Sequence, residues 1–451
     1  MTTRPVRPLI CALAIPTIIS MLTTAFYNMA DTFYVSKIHE NGIDIGVECT
    51  AAVGVAFSIM AIIQAFGFFF GHGSGNYISR QLGAKNIENA RKMAISGVIY
   101  AFVCGVIIAI AGLLFLHPIS VWLGATPTIL HYTKTFLTYI FIGAPFMTVA
   151  LTINTQMRFQ GNAKYAMLGI IIGAIANVML VPLLAFVFDM GIAGAAIATV
   201  TGQTISFFLL IYFCQKRCIA SLSLKNFKPT KAQFYEILHG GIPSLSRQGL
   251  AAIAIIMLNV AAGRYGDEAI AAMSIVNRIC NMIFAIVIGF GQGYQPVCRY
   301  NYGARLYHRV TDGYWFCVKT GTIFLLIVST VGFVFATDII NVFQSSDSAV
   351  SEIGTAALRW QLLTLPLLAF ATMSNMMLQT LRKSVRATIL AAARQGLFFI
   401  PGIILLPRFF GLAGVESCQA ISDLFTFAIT APLVWGVLKE LNKSGKDDKQ
   451  C

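Results

Sequence analysis

Long apolar segments are the feature that most constrains what this chain can fold into. We count twelve of them, each near the ~20 residues that a helix needs to cross a bilayer. The segments are too long, and alternate too little, for the strands of a membrane β-barrel. The predicted spans are 8–36, 51–72, 93–116, 131–155, 165–188, 190–215, 236–262, 268–296, 314–337, 353–379, 387–407 and 411–437.

The low charge content supports a membrane-embedded chain. Of the 451 residues, 57% are hydrophobic and 11% are charged, whereas a soluble domain has about 25% charged residues. The first span follows Arg4 and Arg7 as a signal peptide would, but it is too long for one and contains Asp31. We therefore interpret it as an uncleaved membrane helix.

Lysine and arginine residues predict the orientation. They concentrate in alternate segments, including the N terminus, 216–235 and the C-terminal tail, whereas Lys37, Arg264 and Arg408 are isolated on the opposite side. The positive-inside rule then places both termini in the cytoplasm, and the protein in the inner (plasma) membrane of the cell. The net charge of +14 faces anionic membrane lipid in this interpretation. No nucleic-acid partner is expected.

The two halves of the chain repeat. A glycine that is followed, after nine residues, by Gly-Ala-Lys/Arg occurs in 73–85 and again in 293–305. The motif Gly-x-Ala-Gly occurs in 191–194 and again in 411–414. Both motifs recur 220 positions later. Six spans per half give both halves the same orientation, as in transporters with a parallel repeat. The predicted domains are a first six-helix lobe (1–215), a cytoplasmic linker (216–235), a second lobe (236–440) and a tail (441–451).

Several longer motifs together carry a resemblance to a known family. They are ADTFYVSKI late in span 1, GNYISRQLGAK after span 2, GIAGAAIAT in span 6, GYQPVCRYNYGA after span 8 and RQGLFFIP in span 11. With these motifs the chain resembles the multidrug and toxic compound extrusion (MATE) transporters, and within them the bacterial branch of DinF-like and MepA-like proteins. The resemblance implies an all-α membrane protein with two six-helix bundles around a central cavity.

Asp31 is the first candidate functional residue. Tyr27 and Asn28 precede it by one helical turn on the same face, so this face is predicted to turn away from lipid. A carboxylate within the membrane costs roughly 2.5–3.5 kcal/mol on insertion scales, and it becomes tolerable when it is protonated, paired or bound to an ion. Two interpretations stay open, a cation-coupling site and a structural hydrogen bond between helices.

The family resemblance supplies partners for Asp31. It implies an ion site built from an Asp in span 1, an Asn in span 5 and a Thr in span 6, which Asp31, Asn177 and Thr199 match. Counting along the helices also puts these three side chains at similar depth. Val181 stands where the family often has a second acid. This departure favours H⁺ over Na⁺, because Na⁺ would need several oxygen ligands.

The second half contains a different set of intramembrane polar residues. Either arginines pair with Asp423 and Glu416 and hold helices together, or the surplus positive charge binds anionic or polar groups of a substrate. The candidate substrate-cavity residues are Arg247, Arg278, Asn281, Arg394, Gln395 and Asp423.

The sequence thus predicts a secondary active multidrug efflux antiporter that exports small amphipathic organic compounds in exchange for inward H⁺ or, second, Na⁺. The alternative is a flippase of lipid-linked saccharide from the same superfamily, which the arginines of the second half would suit. A channel or receptor is disfavoured by the repeat. No enzymatic activity, cofactor or metal is expected, and the protein is expected to be a monomer.

Overall fold

The computed structural model describes residues 3–40, 43–343 and 348–447. Nearly all of this chain is helical, apart from a short antiparallel pair of strands at His39–Glu40 and Ile43–Asp44. The helices of the first half are α1 (Val6–Val35), α2 (Gly46–Gly83), α3 (Ile87–Leu114), α4 (Leu116–Trp122), α5 (Leu130–Phe159), α6 (Ala163–Pro182) and α7 (Gly191–Arg217).

The second half continues the same pattern. Its helices are α8 (Lys231–Ala262), α9 (Asp267–Gly303), α10 (Tyr307–Val334), α11 (Ala336–Phe343), α12 (Ser348–Thr364), α13 (Leu367–Thr380), α14 (Ser384–Ala392), α15 (Ile400–Phe410) and α16 (Leu412–Asp447). Short 3-10 turns lie at Leu224–Asn226 and Gly263–Tyr265, and π-helical turns at Leu183–Val187 and Ala393–Phe399.

The membrane-length helices match the predicted spans. Among the described residues, 11 helices are long and apolar enough to cross a membrane, and a bent pair brings the number to 12. In this pair, Ala349–Thr364 and Leu367–Thr380 meet at 57°. Pro366 directly precedes the second member, and a proline at this place cannot donate the backbone hydrogen bond that would continue the first helix. The prediction of an all-α membrane protein is confirmed.

Span 2 extends well beyond its predicted end at residue 72. Its helix α2 runs to Gly83 and includes the glycines at 71, 73 and 75. Glycine occupies these helical positions because neighbouring segments pack too closely to leave room for a side chain. A Cβ at Gly71 would lie 2.8 Å from the Thr155 side chain, and one at Gly75 would lie 2.4 Å from the Phe159 ring.

The Gly-x-Ala-Gly motifs have the same geometry in both halves. Gly191 and Gly411 each begin the turn into the last helix of their half with positive φ, +53° and +59°, a conformation that favours glycine. A Cβ at Gly194 or Gly414 would lie 2.7 Å and 2.4 Å, respectively, from a backbone carbonyl oxygen of the preceding segment. The repeat in the sequence therefore corresponds to a repeated backbone structure.

The helices pack into two compact units. The first unit comprises Ile19–Leu245, and the second comprises the described residues of Met1–Ile18 and Ser246–Cys451. The division falls inside α1 and α8, so each of these helices contributes residues to both units. The lobe boundaries in the linker 216–235 stay a prediction.

Candidate functional site

The first unit brings Asp31, Asn177 and Thr199 together from three helices. Asp31 lies one turn before the end of α1. The Thr199 hydroxyl on α7 lies 3.3 Å from Asp31 Oδ2 and donates a hydrogen bond to it. The Asn177 amide on α6 donates to Thr199 Oγ1 at 3.2 Å, and it is a second polar neighbour of the carboxylate. The three side chains form one hydrogen-bonded cluster.

Two oxygen atoms of this cluster lack hydrogen-bond partners. Asp31 Oδ1 and Asn177 Oδ1 are both buried and accept no hydrogen bond. A buried polar atom without a partner costs about 1–3 kcal/mol, and such atoms in native proteins call for an explanation. A proton bound to the carboxylate would turn Asp31 from a pure acceptor into a donor.

The Thr199 hydroxyl can adapt to either protonation state of Asp31. It has one hydrogen but two acceptors, Asp31 Oδ2 at 3.3 Å and the Ala195 carbonyl oxygen at 3.0 Å. When Asp31 is charged, the hydroxyl can donate to the carboxylate. When Asp31 is protonated, the hydroxyl can donate to Ala195 and use a lone pair to accept a hydrogen bond from the acid.

A second hydrogen bond lies one turn earlier on α1. Tyr27 is buried, and its hydroxyl accepts a hydrogen bond from the Gln203 amide on α7 at 3.2 Å. Tyr27 is among the residues predicted from the sequence and Gln203 is not, although Gln203 follows Thr199 by four residues and so shares its helix face. The structure does not join Asn28 to the cluster, since no side-chain hydrogen bond of Asn28 is found in the described part of the chain.

The position of the missing second acid is apolar. Val181, one turn after Asn177 on α6, is fully buried and packs in the hydrophobic core of the first unit. The residues that the structure describes contain no group of three or more His, Cys, Asp or Glu side chains that could hold a metal ion.

In the second unit, Arg394 pairs with Asp423. The Arg394 Nε lies 2.8 Å from Asp423 Oδ1, and the Gln419 amide donates to the same oxygen at 2.9 Å. Arg394 belongs to the π-helical turn Ala393–Phe399, and its backbone carbonyl accepts a hydrogen bond from Ser422. Its guanidinium also lies over the Phe284 ring, 4.6 Å from the centroid.

These contacts surround a small polar pocket. Of the six predicted cavity residues, Asn281, Arg394, Gln395 and Asp423 line it, while Arg247 and Arg278 do not. Its volume of about 30 Å³ is far below the roughly 300–1,000 Å³ of a pocket for a drug-sized ligand. This pocket by itself does not hold a drug-sized molecule.

The two remaining arginines have no acidic partner in an ion pair of the described residues. Arg247 on α8 donates a long hydrogen bond, 3.5 Å, to the Asn375 side chain, and its Nε has no partner. Arg278 on α9 is exposed. Glu416 is largely buried but also takes part in none of these ion pairs, so the expected Arg–Glu416 pair is not formed.

Comparison with known proteins decides the family. The family model MatE matches residues 16–183 and 243–405, one segment in each half of the chain. The chain belongs to the MatE family. The two matched segments begin at Pro16 and Pro243 and together cover most of the chain. Membership makes the protein a membrane transporter and not an enzyme, as the sequence predicts.

Curated relatives extend over nearly the full length. The chain is 29% identical over 429 residues to the multidrug export protein MepA of Staphylococcus haemolyticus (strain JCSC1435), covering 95% of this chain and 93% of the relative. It is 27% identical over 438 residues to MepA of Staphylococcus aureus (strain NCTC 8325 / PS 47), covering 97% and 95%. These relatives confirm the branch that the motifs indicate.

Solved structures show the same fold. A crystal structure of a MATE protein in complex with MaL6 superposes with a TM-score of 0.90 at 24% identity, covering 98% of both chains. An outward-facing multidrug resistance MATE transporter of the MOP superfamily superposes with a TM-score of 0.89 at 24% identity, covering 98% of this chain and 97% of the other. This MatE protein therefore has the fold of MATE transporters.

Proposed function

We propose that this MatE protein is a secondary active exporter that moves small amphipathic organic compounds out of the cell in exchange for inward H⁺. Membership of the MatE family and likeness to proteins named multidrug export protein support export as the activity. The observation that carries the coupling is the cluster of Asp31, Asn177 and Thr199 within a membrane helix bundle.

H⁺ fits this cluster better than Na⁺. Na⁺ is a hard cation that favours a shell of several oxygen ligands with negative charge among them, as other hard cations do. The cluster offers one carboxylate, one hydroxyl and one amide, and Val181 adds no oxygen. A proton needs a single acceptor, and the Thr199 hydroxyl can reorient to match the charged and the neutral form of Asp31.

The energetics of one proton suffice for useful export. A single inward charge at a potential of ~150 mV provides roughly 3.5 kcal/mol. This sustains a gradient of about 300-fold for a neutral substrate, at about 1.36 kcal/mol per decade, before any contribution from the pH difference. We propose that both termini face the cytoplasm in the plasma membrane, so that inward H⁺ enters from the side where α1 ends.

Reconstituted vesicles test the coupling directly. The protein is reconstituted in proteoliposomes and supplied with a fluorescent amphipathic dye. Either a pH gradient or a Na⁺ gradient at constant pH is then imposed across the vesicle membrane. We expect the pH gradient alone to drive dye accumulation against its gradient. Accumulation driven by Na⁺ alone would contradict proton coupling. Movement of a lipid-linked saccharide without dye transport would instead support the flippase.

We further propose that Arg247 and Arg278 contact polar or anionic groups of substrates. Neither arginine is neutralised by an ion pair among the described residues, whereas Arg394 is held by Asp423. An arginine within a membrane helix is costly unless it is paired or hydrated. Asp423, supported by the Gln419 amide, is then assigned to holding Arg394 in place.

A further inference from the structure

A pocket on the second unit combines charged and aromatic side chains at the ends of two membrane helices. It lies between the N-terminal segment Pro5–Pro8 and the first part of α10, and its volume is about 790 Å³. Both elements begin here, α1 at Val6 and α10 at Tyr307. The pocket is therefore at a boundary between membrane and water, and it is separate from the clusters described above.

The α10 side of the pocket is a stripe along one helix face. His308, Asp312, Trp315 and Lys319 follow one another at intervals of four, three and four residues, which keeps them on one side of a helix. All four are exposed, and Trp315 is 43% exposed. The outer surface of a membrane helix normally carries apolar residues, so a polar stripe here needs a polar neighbour.

The charges of the pocket favour an anion. Arg7, Arg309 and Lys319 line it with one carboxylate, that of Asp312. The ion pairs of the described residues do not include Arg7 or Lys319. The Arg7 guanidinium lies 5.9 Å from the centre of the Phe316 ring, which holds it at the pocket.

Arg309 fixes the N-terminal wall of the pocket. Its Nε donates to Asn301 Oδ1 at 2.9 Å, and another of its nitrogens donates to the Arg4 carbonyl oxygen. The segment that carries Arg7 is thus attached to the α9–α10 corner. The basic side chains are held close together and do not hang from a free tail.

The depth of Lys319 points to lipid. It lies twelve residues into α10, roughly 18 Å along the axis at 1.5 Å per residue, and α10 is longer than the ~30 Å hydrocarbon core. Helical side chains lean toward the N terminus, so the ammonium group extends back toward the pocket and the headgroup region. Trp315 lies one turn earlier, and tryptophan is enriched in this interfacial region of membranes.

We propose that this pocket binds the phosphate headgroup of an anionic phospholipid, with Arg7 and Lys319 contacting the phosphate and Trp315 lying against the glycerol and upper acyl chain. Charge complementarity supplies the anion preference, and exposure of the stripe on a membrane helix gives access to lipid. With the N terminus in the cytoplasm, this lipid lies in the inner leaflet, where anionic lipids are attracted to basic residues.

Trp315 allows the proposal to be tested at the site itself. The other tryptophans, Trp122, Trp360 and Trp435, are 84%, 46% and 61% exposed, so replacing them by phenylalanine leaves Trp315 as a single reporter. The full chain is reconstituted in vesicles of phosphatidylcholine with increasing brominated phosphatidylglycerol, or with brominated phosphatidylcholine as reference. We expect phosphatidylglycerol to quench Trp315 at a mole fraction several times lower than phosphatidylcholine.

Charge variants then separate specific binding from general contact. A contribution of about 1 kcal/mol per basic residue near the lipid surface corresponds to about fivefold in affinity. Arg7→Gln with Lys319→Gln should therefore remove the preference for phosphatidylglycerol, because a loss of roughly 25-fold in affinity exceeds it. Asp312→Asn should lower the midpoint, because it removes the opposing carboxylate. Lys164→Gln, at an exposed lysine in the first turn of α6, is the matched control and should change nothing.

Three results would overturn the proposal. The first is equal quenching by both brominated lipids in the parent protein. The second is a preference that the double variant leaves unchanged. The third is reversal of the quenching by millimolar inorganic phosphate or glycerophosphate, which would make the pocket a site for small soluble anions. Because the readout is fluorescence, none of these results depends on transport activity.

Discussion

At the level of single residues, the Asp31 carboxylate is surrounded by groups that accept either of its protonation states. Thr199 can donate to it or accept from it, and Asn177 presents both an amide donor and an acceptor oxygen to the cluster. A purely structural hydrogen bond would need only one of these arrangements. The adaptable hydroxyl is therefore the detail that best separates coupling from structure.

Asp31→Asn tests this distinction. Asparagine keeps the size and hydrogen-bonding capacity of the side chain but cannot release a proton. We expect the variant to insert, fold and bind substrate, yet to fail to accumulate dye under a pH gradient. Asp189→Asn is the matched control, since Asp189 is exposed in the turn before α7 with φ of 52°, a conformation that asparagine tolerates. Uphill transport at the parent rate by Asp31→Asn would return Asp31 to a structural role.

The Thr199 hydroxyl can be tested by near-isosteric replacement. Thr199→Val removes the hydroxyl while keeping the branched shape, and Thr199→Ser keeps the hydroxyl. We expect Thr199→Val to lose most proton-driven dye uptake, because Asp31 Oδ2 then loses its donor, and Thr199→Ser to retain uptake within a few-fold. Similar uptake by both variants would show that the hydroxyl has no part in coupling.

The arginines of the second unit give a further residue-level prediction. Removing one partner of a buried ion pair typically costs about 3–5 kcal/mol, so Asp423→Ala, which leaves Arg394 without its partner, should lower the melting temperature measurably.

Arg247→Ala and Arg278→Ala should change stability little. They should reduce transport of compounds that bear a negative group more than transport of plain cations. Equal losses for both compound classes would argue against a contact with substrate.

At the level of helices, depth along a helix could be predicted from sequence better than rotation about its axis. Counting residues placed Asp31, Asn177 and Thr199 at one depth, and the structure joins them. Arg278 and Asn281, which the sequence groups together, are both exposed, yet only Asn281 lines the small pocket beside Asp423. Each residue turns the helix by about 100°, so these two residues, three apart, differ by only about 60° around the axis of α9, and even this small offset decides which of them lines the pocket.

The π-helical turn at Ala393–Phe399 had no signal in the sequence. Such a turn inserts one residue into an α-helical register and redirects the side chains that follow. It contains Arg394 and Gln395, and it frees the Arg394 carbonyl for the Ser422 hydroxyl. The bend at Pro366 could have been expected from proline alone, whereas Pro145 lies within the continuous helix α5. Local sequence therefore did not decide which proline breaks a span.

Helix α6 offers a test of ion choice. Val181 is fully buried one turn after Asn177, so Val181→Asp would place a second carboxylate beside the cluster. We expect a Na⁺ gradient to stimulate dye uptake in this variant but not in the parent, with a lower melting temperature because a charge is buried. Val181→Asn is the matched control, which adds polarity without charge and should gain no response to Na⁺.

At the level of the whole molecule, the N-terminal part of the first helix of each half belongs to the unit formed mainly by the other half. In the second unit, Gly293 on α9 faces α1, where a Cβ would lie 2.5 Å from the Ala14 Cα. In the first unit, Gly73 on α2 faces α8, where a Cβ would lie 2.4 Å from the Ile237 carbonyl oxygen. These two glycines occupy equivalent positions in the repeat, so the same close approach occurs twice.

This arrangement explains why the repeated motif begins with glycine, and it predicts paired effects. Gly73→Ala and Gly293→Ala should each destabilise the protein by about 1–3 kcal/mol, the usual cost of overpacking a tight contact. Gly54→Ala and Gly249→Ala, at helical positions where a Cβ would meet nothing within 4 Å, should be neutral or stabilising by up to about 1 kcal/mol, because alanine favours helix. Thermal unfolding of the four variants in one detergent measures the contrast. Equal melting temperatures for both pairs would show that the backbone accommodates a methyl group at these crossings, and that the repeated glycines serve another purpose.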